Sequence, residues 1–126
     1  MTDRPRTRLS TTVLGAPDAR VLGAFYRDLL GWEVVDDEPD WVMLCPPGGG
    51  TGLSFQEEPR HRRPVWPADA DDQQMQAHLD IAVDDLDSGV AFAVSIGATV
   101  ADHQPQDDVR VLLDPAGHPF CLFAGA

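Results

Sequence analysis

Apolar and polar residues along this chain change rhythm at regular intervals, and the changes mark out its elements. Residues 9–16, LSTTVLGA, are short, apolar and rich in β-branched side chains, and predict a strand. Beyond Pro17, apolar residues recur at three- and four-residue spacing (Val21, Leu22, Phe25, Leu29, Leu30). That period predicts a helix capped by Asp18 and stopped at Gly31. WEVVDD (32–37), WVMLCP (41–46) and LSFQEE (53–58) predict three more strands, the last two joined across the glycine turn PGGGTG (47–52). From residue 78 the order starts again. HLDIAV (78–83) predicts a strand, and Asp85 to Ile96 a helix with Leu86, Val90, Ala93 and Val94 on one face and Gly97 as its stop. ATVADH (98–103), VRVLLD (109–114) and PFCLFA (119–124) predict three strands, with the turn Pro115-Ala116-Gly117-His118 between the last two.

The two halves also agree residue by residue. Asp18 and Asp85 follow the first strand of each half at the same place, and Ala24-Phe25 and Ala91-Phe92 stand equally far beyond them. A βαβββ unit written twice accounts for this agreement. The fold class expected is therefore α+β: two tandem βαβββ modules. The chain reads as one domain over residues 1–126, with module one at about 9–58, a linker at about 59–77 and module two at about 78–124. The linker, PRHRRPVWPADADDQQMQA, is rich in Pro, Arg and Asp, yet it carries Trp66 and Met75, which a purely solvated segment does not need. Trp66 is read either as packing on the core edge or as a lid or pocket rim.

Composition narrows the function classes. The 126 residues carry a formal net charge of −12, so phosphate backbones and anionic membranes are unfavoured partners. Every basic residue other than histidine is arginine, which excludes a Schiff-base lysine. The first residues, MTDRPRTRLSTT, hold no apolar leader core, and no apolar run approaches the roughly 18 residues of a membrane span. With only Cys45 and Cys121, the expectation is a cytoplasmic protein with reduced thiols.

The segments AFYRDLLGWEV (24–34), HLDIAVDDLDSGVAFAVSIGA (78–98) and LLDPAGHPFCLF (112–123), together with the doubled βαβββ order, resemble the vicinal oxygen chelate superfamily. That group holds glyoxalase I, extradiol dioxygenases, fosfomycin-resistance enzymes and bleomycin-resistance binding proteins. Residues 65–87 look more narrowly like actinobacterial glyoxalase-like proteins. The resemblance implies a homodimer and two modules whose mixed sheets curl around a cleft with four metal-ligand positions, on the first and last strand of each module. Carried over, those positions are Thr11, Ser54, His78 and Cys121. Only His78 is a good donor there: hydroxyls bind metals weakly, and catalytic zinc wants three protein ligands. No cofactor is therefore expected, and a divalent metal held through His78 is the alternative.

Strand alternation aims Leu79, Ile81 and Val83 at the helices and His78 and Asp80 into the cleft, roughly 6.8 Å apart along the strand. The same parity places Gln56 beside Ser54. A metal set of His78, Asp80 and Gln56 is conceivable, but two ligands at that separation on one strand are expected to strain to share an ion. His78 is read as a hydrogen-bonding pocket residue, with a general base held by Asp80 as the alternative. Cys121 is read as a buried inert thiol; a nucleophile would need its pKa lowered by His78. The cluster Arg60, His61, Arg62, Arg63 is read as a solvated loop paired with the acidic run ADADD (68–72), against an anion-binding alternative. His103 and His118 are read as structural or exposed.

The expected ligand-binding set is thus His78, Asp80, Thr11, Ser54, Gln56, Cys121 and Trp66, with no catalytic residue assigned unless it is His78. With Trp32 and Trp41 also present, such a cleft suits a flat or apolar small molecule. The leading reading is a metal-independent small-molecule binding protein of the sequestration or resistance type. The alternatives are a lyase or isomerase using His78 as base or sole remaining metal ligand, and a structural or regulatory partner-binding module.

Overall fold

In a computed structural model describing residues 3–126, the chain forms β1 (Thr11–Ala16), α1 (Ala19–Leu30), β2 (Glu33–Glu38), β3 (Trp41–Cys45) and β4 (Gly52–Glu57). The second module is β5 (Leu79–Val83), α2 (Leu86–Ser95), β6 (Thr99–Val100), β7 (Val109–Leu113) and β8 (Pro119–Ala124). Met1 and Thr2, which the sequence reading includes in the domain, lie outside the described residues. Each module makes one four-stranded mixed sheet, in the order β1-β4-β3-β2 and β5-β8-β7-β6. In both, the first strand returns to pair in parallel with the last, and the other neighbours are antiparallel. The α+β class and the tandem βαβββ order are as the sequence implies. Neither helix of the described residues is long and apolar enough to cross a membrane.

Local chemistry explains the boundaries. Asp18 accepts from the Arg20 and Val21 backbone N–H groups and starts α1; Gly31 ends it at φ 69°, in the left-handed region a side chain disfavours. Asp85 caps α2 through the Ser88 N–H at 2.9 Å and hydroxyl at 2.6 Å. The largest departure from the sequence reading is β6, which keeps two residues of the six expected between 98 and 103. A side chain replaces the missing ladder. Gln104 donates to the carbonyls of Ala101 and Val111 at 2.9 Å and accepts from the Val111 N–H at 3.0 Å, so it satisfies the edge of β7 as a strand would. β2 lies exposed along its whole length, and its acidic residues and a register shift between Val34 and Asp36 blunt that open edge.

The helix-side faces of both sheets share one core. Tyr26 of α1 stacks on Phe55 of β4 with ring centroids 5.5 Å apart, and Phe25 and Tyr26 meet Phe120 of β8 edge-on at 5.8 and 6.0 Å. Gly23 lets α1 settle onto β3, because a Cβ there would stand 2.8 Å from a Val42 methyl. The Tyr26 hydroxyl crosses to the second module and donates to Asp114 Oδ2 at 2.8 Å. Asp114, only 2% exposed, also accepts from the Ala116 and His118 N–H groups, so its buried carboxylate closes the β7–β8 turn. Burial raises its pKa above the usual carboxylate value, against the lowering by His118, the Tyr26 hydroxyl and the two backbone donors. Burial, and after it the Asp114 charge, push the Tyr26 phenol well above its ordinary value.

Two outcomes follow. Tyr26→Phe removes a buried donor to a carboxylate and is expected to cost about 1–3 kcal/mol in urea denaturation. Because the folded-state pKa of Asp114 is raised, the stability it contributes is complete below its unfolded value near 3.8 and is lost as pH rises through the folded value. The stability of the wild type minus that of Asp114→Asn should therefore fall as pH rises from acid towards neutral. A difference that stays flat across that range contradicts the assignment.

Candidate functional site

Strand register fixes what stands on the face of module two turned away from the helices. In parallel β5–β8, Asp80 is opposite Cys121; in antiparallel β7–β8, Cys121 is opposite Val111. Directly opposed residues point to the same side, so Asp80, Cys121 and Val111 make one cross-strand row. Ala82, Phe123 and Val109 make the next. Along β5 the helix-facing residues Leu79, Ile81 and Val83 are half-buried while Asp80 and Ala82 are open, as the alternation requires.

Apart from Ala82, these rows floor a cavity of about 310 Å³, walled by Trp66 of the linker, His78, and Pro105 and Gln106 of the loop before β7. His78 Nε2 lies 3.1 Å from Asp80 Oδ1. The sequence reading expected side chains two residues apart to strain towards a common point. They converge because β5 begins at Leu79, so His78 stands just before the pleated strand and its backbone is not held to the ladder. Trp66 is therefore a cavity wall: its ring stacks on that of His78 with centroids 5.3 Å apart and planes 25° apart. His103 also meets the indole edge-on, at 5.0 Å. The sequence reading assigned His103 no such place. Nor did it single out Val109, Val111 and Phe123, although the parity of β7 and β8 that selects Cys121 selects them as well.

His78, Asp80 and Cys121 each offer a ligand atom, all within 4.8 Å of one another. Gln56, the third member of the metal set weighed from the sequence, is elsewhere: it is exposed on β4 opposite Gly15 and Trp41. Cys121 is buried, and its environment does not activate it. Burial, and then the Asp80 carboxylate, push the thiol above its ordinary pKa, the reverse of the lowering a nucleophile needs.

Module one repeats the row as Val13, Ser54 and Met43. There the Thr11 and Ser54 hydroxyls are hydrogen-bonded to each other at 2.7 Å, and Ser54 is fully buried. Of the four positions the resemblance assigns to a metal, two are thus hydroxyls satisfied by one another. That quartet does not fit a metal ion. Thr11 and Ser54 are also not among the residues walling the His78 cavity. The arginine cluster departs from expectation too. Among the described residues Arg60, Arg62 and Arg63 form no ion pair with residues 68–72; Arg62 reaches only the Asp71 carbonyl, at 3.5 Å. His61 and His118 bind backbone carbonyls, Ala116 O and Gly15 O, each through Nε2 at 2.7 Å.

Known proteins agree with this architecture. The structure resembles a glyoxalase/bleomycin resistance protein/dioxygenase family enzyme from Burkholderia phytofirmans PsJN, with a TM-score of 0.70 and 20% identity over 92% of this chain and 97% of that one. It also resembles TnmS3, an antibiotic binding protein from Streptomyces sp. CB03234, with a TM-score of 0.61 and 18% identity over 98% of this chain and 100% of that one. A third similar structure is the oxidase ChaP-H2, with a TM-score of 0.61 and 16% identity over 95% and 94% of the two chains. No curated protein matches the chain by sequence. The glyoxalase-like domain profile matches residues 11–123, nearly the whole chain with both modules. The chain belongs to the glyoxalase-like domain family.

Proposed function

We propose that this protein binds a small, apolar or aromatic molecule in the module-two cavity without a metal, as a sequestering or resistance-type protein does. The observation that carries this reading is Trp66, drawn from the linker and laid against His78 over the valine and phenylalanine floor. Flat ring surface on one side, aliphatic wall on the other and a few polar atoms between them are what such ligands require. His78 and Asp80 supply those polar atoms, and Cys121 is a neutral thiol beneath them. Thr11, Ser54 and Gln56, on the equivalent face of module one, join the site only where that face meets a ligand or a second copy. The resemblance supports a cytoplasmic homodimer of the actinobacterial glyoxalase-like kind. The antibiotic-binding description of TnmS3 belongs to that protein and supports the reading by analogy of fold.

One observation favours a second reading, a lyase or isomerase of the vicinal oxygen chelate type. Asp80 stands against His78 as a carboxylate that orients a general base does, and with Cys121 the pair offers three donors, the number a catalytic zinc uses. Elemental analysis of the purified protein separates the two readings. The binding reading expects no stoichiometric metal in the wild type; the enzyme reading with a metal expects a stoichiometric metal that is lost in His78→Ala.

Two further outcomes test the main reading. Calorimetric titration with a panel of flat aromatic compounds should find ligands whose affinity falls at least about tenfold in Trp66→Ala, the loss of roughly 1.4 kcal/mol of ring contact. Ligands indifferent to that substitution would place binding elsewhere. Removing the Asp80 charge should release the thiol: in Asp80→Asn, mass-spectrometric alkylation of Cys121 by iodoacetamide at neutral pH is expected to run several-fold faster than in the wild type, with Cys45 unchanged as the internal standard.

A further inference from the structure

We infer that a second cavity, beneath the linker, is a site for the carboxylate or phosphate group of a small molecule. It has a volume of about 360 Å³ and opens where the linker crosses β1; its walls include Arg60, His61, Arg62, His118, Val13 and Gly15. That volume is of the size small-molecule sites have.

Charge is the first argument. In a chain of net charge −12, carboxylates are abundant, and Arg20 and Arg27 are paired with Asp37 and Asp28. Arg60 and Arg62 are not paired among the described residues, although Asp69, Asp71 and Asp72 follow closely in the chain. Glu58 is also on the wall, and one of its oxygens is engaged by the Arg60 backbone N–H at 3.2 Å. Arg60 and Arg62 both line this one cavity with no carboxylate of the described residues on their guanidiniums, Arg62 reaching only the Asp71 carbonyl at 3.5 Å, and guanidinium geometry suits carboxylate and phosphate alike.

The second argument is that the cavity is held in shape. His61 binds Ala116 O and Arg63 donates to Pro115 O at 3.3 Å, so both sides of Arg62 are anchored to the β7–β8 turn. Arg63 packs so closely there that a Cβ on Gly117 would stand 2.7 Å from its guanidinium carbon. His118 ties the same turn to Gly15. A carbonyl oxygen only accepts, so Nε2 of both imidazoles carries the proton. The rings lie 5.1 Å apart, and Nδ1 of each has no protein hydrogen bond among the described residues. None of these residues belongs to the Trp66 cavity, so the inference stands apart from the proposed function.

The test is a nitrogen–proton NMR titration of the full chain with sodium phosphate and, separately, sodium succinate, at constant ionic strength against sodium chloride. The inference expects saturable shifts confined to Gly15, residues 60–62 and the His61 and His118 rings. Saturation by phosphate alone identifies a phosphate site, and by succinate alone a carboxylate site. The double variant Arg60→Gln/Arg62→Gln should bind at least about tenfold more weakly, since it removes both charge-assisted donor groups. Trp66→Ala should bind as the wild type does. Shifts that never saturate with either anion, or a double variant that binds unchanged, overturn the inference.

Discussion

The hydrogen bond from Tyr26 to Asp114 is the constraint on which the two halves depend. It begins on the helix of one module and ends in the last turn of the other, with both partners buried. A buried carboxylate is costly to leave without donors, and this one has three: a phenol and two backbone N–H groups. Its position sets the β7–β8 turn, and the turn in turn anchors the linker through His61 and Arg63 and meets β1 through His118. The aromatic contacts among Phe25, Tyr26, Phe55 and Phe120 surround the same point. Core, inter-module contact and linker course therefore share one polar centre.

Much of the fold was legible because the signals were local and repeated. Asp18, Gly31 and Asp85 act at helix ends, where one side chain or one backbone angle decides the boundary. Parity along β5 was legible for the same reason. The failures came where a side chain took over a backbone task. Gln104 completes the β7 edge, and no periodicity in 98–103 announces that the strand will stop at Val100. The Tyr26–Asp114 pair joins residues far apart in sequence, and a tyrosine on an apolar helix face looks like any other core ring.

The site was legible in part for similar reasons. Family position and strand parity brought out His78, Asp80 and Cys121, and the structure brings those three together. They did not bring out the convergence of His78 on Asp80, which depends on where the pleat begins. Nor did they bring out His103, which depends on the path of a loop. The linker was the least readable segment. Its arginines and aspartates suggested internal pairing, whereas the fold spends His61 and Arg63 on carbonyls and leaves Arg60 and Arg62 among the residues lining a cavity.

The matching cross-strand rows carry a consequence for how such a protein changes over time. Thr11, Val13 and Ser54 of module one stand where His78, Asp80 and Cys121 stand in module two, on sheets of identical strand order. One copy is closed by a pair of hydroxyls, and the other holds an imidazole, a carboxylate and a thiol. A duplicated scaffold of this kind separates folding from chemistry: one half can keep a quiet, self-satisfied centre while its twin drifts among reactive or receptive side chains. Three positions per half, rather than the architecture, then decide which half does the work, and the role can pass from one to the other without rebuilding a strand.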